Sequence, residues 1–227
     1  MGIHGLDVLF MDNFDNLISI PKVLIILVNT LWIVGLINAF NWIDGLDGLA
    51  SGVGVIILLG ICCISFINNN IQTALISLSL CGAFSGFLVH NKNPASIHMG
   101  DCGSYLLGFN IAILSISCLS SGDRLFDLNL NIPISFVILL VPIMDMTVVI
   151  FSRIIEGKLP FYPDRRHLHH KLLDVGINSV DSVKFIYCLN FISISLALCL
   201  IKFKFGFILF SLSIINFLLF KVFAVRN

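Results

Sequence analysis

Residues 22–48 read KVLIILVNTLWIVGLINAFNWIDGLDG, and this stretch decides the fold. Its first part, from Val23 to Ile37, is an apolar run interrupted only by Asn29, Thr30 and Gly35. A run of this length cannot alternate between a wet and a dry face as a barrel strand does, but it is long enough for a helix to begin crossing a hydrocarbon core. It then ends in a burst of polarity: Asn38, Asn41, Asp44 and Asp47, with Gly45 and Gly48 between and after the acids. Each pair of like residues is three apart, so on a helix each pair would share a face. Gly45 and Gly48 are expected to loosen the turn and let backbone approach a ligand. Two carboxylates and two amides form a hard, oxygen-rich group suited to Mg²⁺ and sugar hydroxyls. A polar helix end with a glycine stop is the alternative.

The rest of the chain repeats the first part of that pattern. Of the 227 residues, 58% are hydrophobic and 11% charged, with mean hydropathy +1.03. A soluble domain carries about 25% charged residues. Thirteen basic residues balance thirteen acids, so no net positive field exists for nucleic acid. Apolar runs fall near 22–40, 49–67, 71–90, 103–119, 132–152, 183–201 and 203–223. The expected fold is therefore all-α and integral to the membrane. It is a polytopic bundle of about seven transmembrane helices, organised as a single membrane domain over 1–227. Small-residue pairs at Gly48/Gly52, Gly82/Gly86 and Ser104/Gly108 suggest close helix packing.

The cysteines are seven and lack a Cys-x-x-Cys pair, which reads as apolar packing. The N-terminus carries Asp7, Asp12 and Asp15 with no Lys or Arg before Lys22, so it is not expected to be a signal peptide. Alternating the loops across the bilayer puts 41–48, 91–102 and 152–182, with the C-terminus, on one side, which together with Lys184 takes nine of the thirteen basic residues. The positive-inside rule makes that side cytoplasmic.

Two further polar clusters fall on the same side. Met99-Gly100-Asp101-Cys102-Gly103-Ser104 places Asp101 at the start of a span. There a carboxylate is either an ordinary cap or a metal ligand beside phosphate-binding N–H groups. Pro160 to Lys171 carries Asp164, Arg165, Arg166, His167, His169 and His170. This is a dense donor set for diphosphate oxygens. A solvated basic loop and a Zn²⁺ site are its alternatives, though no Cys partners or His-Glu-x-x-His helix support zinc. Asp145, between Met144 and Met146 in the fifth run, is either a buried interhelical partner or a site residue; the partner role is favoured. Carboxylates, Arg and His donors and a membrane floor together suit phosphoryl transfer. A transporter using Asp44, Asp47 and Asp145 is a rival class, but its acids should line a path, not one face.

Three motifs carry a resemblance: Asn-Ala-Phe-Asn-x-Ile-Asp-Gly-Leu-Asp-Gly-Leu-Ala at 38–50, Met-Gly-Asp-x-Gly-Ser-x-x-Leu-Gly-Phe at 99–109 and Pro-Asp-Arg-Arg-His-Leu-His-His at 163–170. In this order they resemble the polyprenyl-phosphate N-acetylhexosamine-1-phosphate transferases of glycosyltransferase family 4. The His-x-His-His form is similar to the undecaprenyl-phosphate N-acetylglucosaminyl-1-phosphate branch. The resemblance implies transfer of an N-acetylhexosamine-1-phosphate, expected to be GlcNAc-1-phosphate, from a UDP-sugar to undecaprenyl phosphate. UMP is released and a cell-envelope polysaccharide such as O-antigen or teichoic acid is begun. It implies Mg²⁺, with Mn²⁺ as the alternative ion, and a plasma (inner) membrane location with cytoplasmic active-site loops. Matched position by position, Asp101 takes the metal role. Asp44 and Asp47 are the catalytic acidic pair lining the nucleotide and metal site, with Asn38 and Asn41 beside them. His167, His169 and His170, with Arg165 and Arg166, contact the diphosphate or sugar. His98 stands where many relatives place an aromatic residue near the uracil. Family members are longer, so the chain is expected to lack the N-terminal third with its Asp-Asp motif. It is then expected to be inactive alone, a split-enzyme subunit, or partnered by that missing half or by a second copy.

Overall fold

The computed structural model describes residues 22–119, 134–159 and 165–202, and all regular structure among them is helical. The elements are α1 (Lys22–Ile43), α2 (Leu49–Ile67), α3 (Ile71–Asn91), α4 (Gly100–Ser117), α5 (Leu140–Ile155), α6 (Leu168–Asp174) and α7 (Ser179–Lys202). Residues 134–138 are also helical. Four helices, α1, α2, α3 and α7, are long and apolar enough to cross a membrane. Uninterrupted apolar sequence leaves the helix as the way to pair every backbone group without water.

Helix α2 is the centre of the bundle. Two-thirds of its span is buried inside the protein, against about a quarter for α1 and α3. It packs against α3 and α7, and α1 packs against α4. The close approaches use missing side chains. A Cβ on Gly108 would lie 2.8 Å from the Leu36 carbonyl and the Ile37 Cα, so α1 and α4 touch backbone to backbone there. Gly52 leaves the notch that the Tyr187 ring of α7 fills. Thus two of the three expected small-residue pairs contribute to packing. For the third, no atom of the described residues lies within 4 Å of where a Cβ of Gly82 or Gly86 would stand.

At one end of the bundle the short turn 68–70 closes α2 to α3. Asn70 caps α3 by accepting the Thr73 N–H at 3.1 Å. Asn68 and Asn70 also donate to the Cys118 and Ser117 carbonyls at 2.9 and 2.8 Å, satisfying groups the end of α4 would leave orphaned. At the other end lie the loops 44–48 and 92–99, with the described residues 156–159 and 165–167. Asp47 bonded to Ala95, and Gly45 against His169, place them together. The three polar clusters do share one end, as alternation of the loops requires.

The fifth apolar run differs from its expected form. The helix is interrupted at Leu139, and α5 spans 16 residues from Leu140, shorter than a typical span. Pro142 explains the position of the restart. It lacks an N–H and is tolerated in the first turn, where that group needs no intrahelical partner. The run at 203–223 lies outside the described residues.

Candidate functional site

Three chain segments build an open cleft of about 480 Å³ at the polar end. Its lining includes Asn41 from α1, Asp44 and Asp47 from the α1–α2 loop, and His98 and Asp101 from the approach to α4. Asn41 holds two of these segments together. Its Nδ2 donates to Asp101 Oδ1 at 3.0 Å and to Ser104 Oγ at 3.1 Å. Asp101 sits in the first turn of α4, where the dipole favours its charge, and remains exposed. Asp44 is half-buried beside it. Burial pushes the Asp44 carboxyl up to about 6; His98 opposes the rise and the Asp101 charge adds to it.

Asp47 has a different task from Asp44. Its Oδ2 accepts the Asn93 side-chain amide and the Ala95 N–H, each at 3.1 Å. Its Oδ1 lies 4.0 Å from Nδ1 of the exposed His98. The acid therefore tethers the α3–α4 loop to the α1–α2 loop while still lining the cleft. Buried Asn91 adds a second tether, accepting from Ser51 Oγ at 2.7 Å and donating to the Ile97 carbonyl at 2.9 Å. Asn38, expected in the site, instead bonds back to the Val34 carbonyl at 2.7 Å and does not line the cleft.

The two loop glycines also admit neighbouring elements of the chain, and Gly45 lines the cleft itself. Gly48 adopts φ 77°, which favours glycine, and caps α2. Its carbonyl accepts the Tyr187 hydroxyl of α7. A Cβ on Gly45 would collide with the His169 imidazole. The glycines are the places where α7 and the histidine segment reach the acidic loop.

That histidine segment is the second half of the site. Pro160 to Asp164 lie outside the described residues. From Arg165 the chain turns into the short helix α6. His167 precedes it and His169 lies within it, both buried, with rings parallel to within 7° and centroids 5.9 Å apart. His170 tilts against His169 at 4.2 Å. Burial, with His170 adding, pulls His169 down to about 4, so its ring is neutral at pH 7. Burial and the Arg165 charge lower His170 as well. The buried ring nitrogens of His169 and Nδ1 of His170 have no hydrogen-bond partner among the described residues. Arg165 is exposed. Arg166 is not free: it makes a bidentate pair with Glu156 at 2.5 and 2.6 Å. Hydrogen bonds from Arg166 and Lys158 hold Glu156 down to about 2.

Sequence reasoning missed the supports. Tyr187 sits in an apolar run and Asn91 just past the end of one, with no spacing signal. Trp42 is another support: buried Arg153 lies over its ring at 5.0 Å from the centroid, and His167 approaches it at 5.8 Å. Asp145 takes the partner role that its position in the fifth run favoured. It is buried and bonds to His167 Nδ1 at 2.8 Å.

The motifs carrying the resemblance thus fold into one end of one bundle, and the comparisons agree with it. The sequence profile described as glycosyl transferase family 4 matches residues 1–119, about half of the chain. The chain belongs to this family. Among curated relatives, a Bacillus subtilis (strain 168) protein named probable undecaprenyl-phosphate N-acetylglucosaminyl 1-phosphate transferase is 43% identical over 162 residues, covering 71% of this chain and 44% of the relative. A decaprenyl-phosphate N-acetylglucosaminephosphotransferase of Mycolicibacterium smegmatis is 38% identical over 185 residues, 75% of this chain and 46% of the relative. A phospho-N-acetylmuramoyl-pentapeptide-transferase of Listeria monocytogenes is 47% identical over 85 residues, 37% of this chain and 26% of the relative. The chain spans about half the length of the first two of these relatives. As a glycosyl transferase family 4 member with an all-helical bundle and four membrane-length helices, it is a polytopic membrane protein.

Proposed function

We propose that this end of the bundle binds a UDP-N-acetylhexosamine, with UDP-N-acetylglucosamine the first choice. In this reading, sugar-1-phosphate passes to undecaprenyl phosphate at the cytoplasmic face of the plasma membrane and UMP leaves. The observation that supports this most is the convergence of two unlike donor sets at Gly45. On one side are open carboxylates; on the other is the histidine segment, where both ring nitrogens of buried His169 lack a hydrogen-bond partner among the described residues. The two named GlcNAc-phosphate transferases among the relatives supply the sugar and the polyprenyl acceptor by analogy.

Mg²⁺ suits the carboxylate side, with Mn²⁺ as the other hard ion. Among the described residues no three His, Cys, Asp or Glu side chains form a ready cage. Mg²⁺ does not require one, because it commonly uses one or two carboxylates with substrate phosphates and water. Asp101 and Asp44 would hold it, and a cation there would relieve the repulsion that helps raise Asp44. When bound, it would neutralise charge on the donor's phosphates. Asn41 orients Asp101. Asp47 holds the 92–98 loop, and with it His98, over the uridine side of the cleft. His169 and His170, neutral at pH 7, can accept or donate to diphosphate or sugar oxygens without bringing a charge of their own. Arg165 is the exposed cation of this segment and can complement the diphosphate.

The test is release of UMP from UDP-N-acetylglucosamine in vesicles containing undecaprenyl phosphate and the purified chain. Release that depends on both Mg²⁺ and the lipid supports the transferase reading. Binding of the nucleotide sugar without release restricts the chain to the donor half of the reaction. Failure to bind or release refutes it.

A further inference from the structure

One buried acid stands behind the proposed donor site without lining its cleft. Asp145 lies on helix α5 with 3% of its surface exposed. Both of its oxygens are engaged by the histidine segment: Oδ1 accepts the Leu168 N–H at 2.6 Å, and Oδ2 lies 2.8 Å from His167 Nδ1. The Leu168 N–H makes Oδ1 an acceptor, and His167 Nδ1 lies within hydrogen-bond distance of Oδ2. A buried acid with one partner removed is costly, so two nitrogen partners at this place form a built site and not an incidental contact.

We propose that Asp145 is a positioning residue for the donor site: it fixes the proton of His167 on Nδ1 and pins the first residue of α6, which seats the His167–His169 stack against Gly45. An ionised carboxylate can only accept, so the ring nitrogen facing it must carry hydrogen. In a neutral imidazole the other nitrogen, Nε2, then keeps its lone pair. The Leu168 bond acts on the backbone. It fixes where α6 begins and therefore where His169 points one residue later. His169 has no side-chain bond of its own among the described residues, so its seat depends on this anchor and on ring packing. An orienting carboxylate behind an imidazole typically changes activity or affinity by about 10–100-fold when removed. The functional consequence rests on the donor-site reading above; the tautomer does not.

The experiment uses the full chain in detergent micelles, labelled with ¹⁵N in histidine rings, at pH 8. His167 signals are identified by their loss in His167→Gln. The expected wild-type spectrum has hydrogen on Nδ1 of His167. In Asp145→Asn the side-chain amide presents N–H to the ring, and the hydrogen is expected to move to Nε2. Asp145→Glu restores the acceptor and is expected to restore the Nδ1 hydrogen. Affinity for UDP-N-acetylglucosamine with Mg²⁺ is read on the same samples, with a loss of ~10–100-fold expected in Asp145→Asn and partial recovery in Asp145→Glu. A wild-type ring bare at Nδ1 would mean that Asp145 is itself protonated and donating, and overturns the proposal. An unchanged His167 ring in a folded Asp145→Asn protein overturns it equally. If neither variant folds, the wild-type spectrum alone decides. If the wild type shows the expected ring but binds no nucleotide sugar, the role of Asp145 at His167 stands and the donor-site reading falls.

Discussion

Asp101 shares a cleft with Gly45, His169 packs against Gly45, and the two live in opposite conditions. The carboxylate is exposed on the first turn of α4, held by one amide from α1. The imidazole retains 1% of its exposure, is packed between other rings, and has no hydrogen-bond partner among the described residues. The acidic side keeps its charge in contact with water, where a hydrated cation and a phosphate can reach it. The histidine side has lost its charge to burial and offers shaped, neutral donors and acceptors. Such a pairing divides the work: one region binds charge, and the other recognises geometry without adding to the charge already present.

The largest effect is expected where the charge-binding side is broken. Asp101→Asn keeps the side-chain shape and the bond to Asn41 but removes the charge. Calorimetric titration should show Mg²⁺-dependent binding of UDP-N-acetylglucosamine weakened by ~100-fold, several kcal/mol being the usual scale of such metal-centred terms. Next comes the contact between the regions. Gly45→Ala adds a methyl where the His169 ring lies. Overpacking of this kind costs about 1–3 kcal/mol, so a lower melting temperature and weaker donor binding are expected together.

The pH dependence separates the regions by sign. Asp44 titrates above its ordinary 3.8, at about 6, so the stability it contributes is fully present below 3.8 and is lost as pH rises through about 6. His169 titrates below its ordinary 6.5, at about 4, so the stability it contributes is present above 6.5 and is lost as pH falls through about 4. The two oppose each other between about 4 and 6.5. Thermal melts at pH 7 and pH 5 should therefore show Asp44→Asn losing more on acidification than the wild type, and His169→Gln losing less. The smallest effect is expected at Glu156. The pair with Arg166 is well formed but exposed, and pairs of that kind contribute little. Glu156→Gln should leave the melting temperature essentially unchanged and weaken the ion pair to Arg166, read as a modest change in donor affinity.

The same two regions show how far the sequence could be read. The helical, apolar character of the chain, four of the seven expected spans among the described residues, and the grouping of the polar clusters at one end were legible because apolar length and loop alternation are one-dimensional properties. Asp44, Asp47 and Asp101 were legible because acids beside membrane helices are rare and expensive. The division of labour within them was not. Asp44 differs from Asp47 through the Ala95 N–H and the Asn93 amide, which arrive from the loop after α3. Gly45 and Gly48 signalled a need for close approach without saying which protein groups come close. His169 and Tyr187 fill those places, and neither is near in sequence. Asn38 shares the amide chemistry of Asn41 but points its hydrogen bond back along α1. A break in the fifth run at Leu139 was masked by uniform apolarity, with Pro142 the one local cue.

The central claim is that the open carboxylates and the buried histidines form one donor site. The most direct measurement is a titration of the purified chain with UDP-N-acetylglucosamine, in Mg²⁺ and again after chelation, for wild type, Asp101→Asn and His169→Gln. Saturable binding that needs Mg²⁺, collapses in Asp101→Asn and weakens in His169→Gln without losing its Mg²⁺ dependence is the predicted result. Equal affinity in all three proteins, or binding indifferent to Mg²⁺, would contradict it.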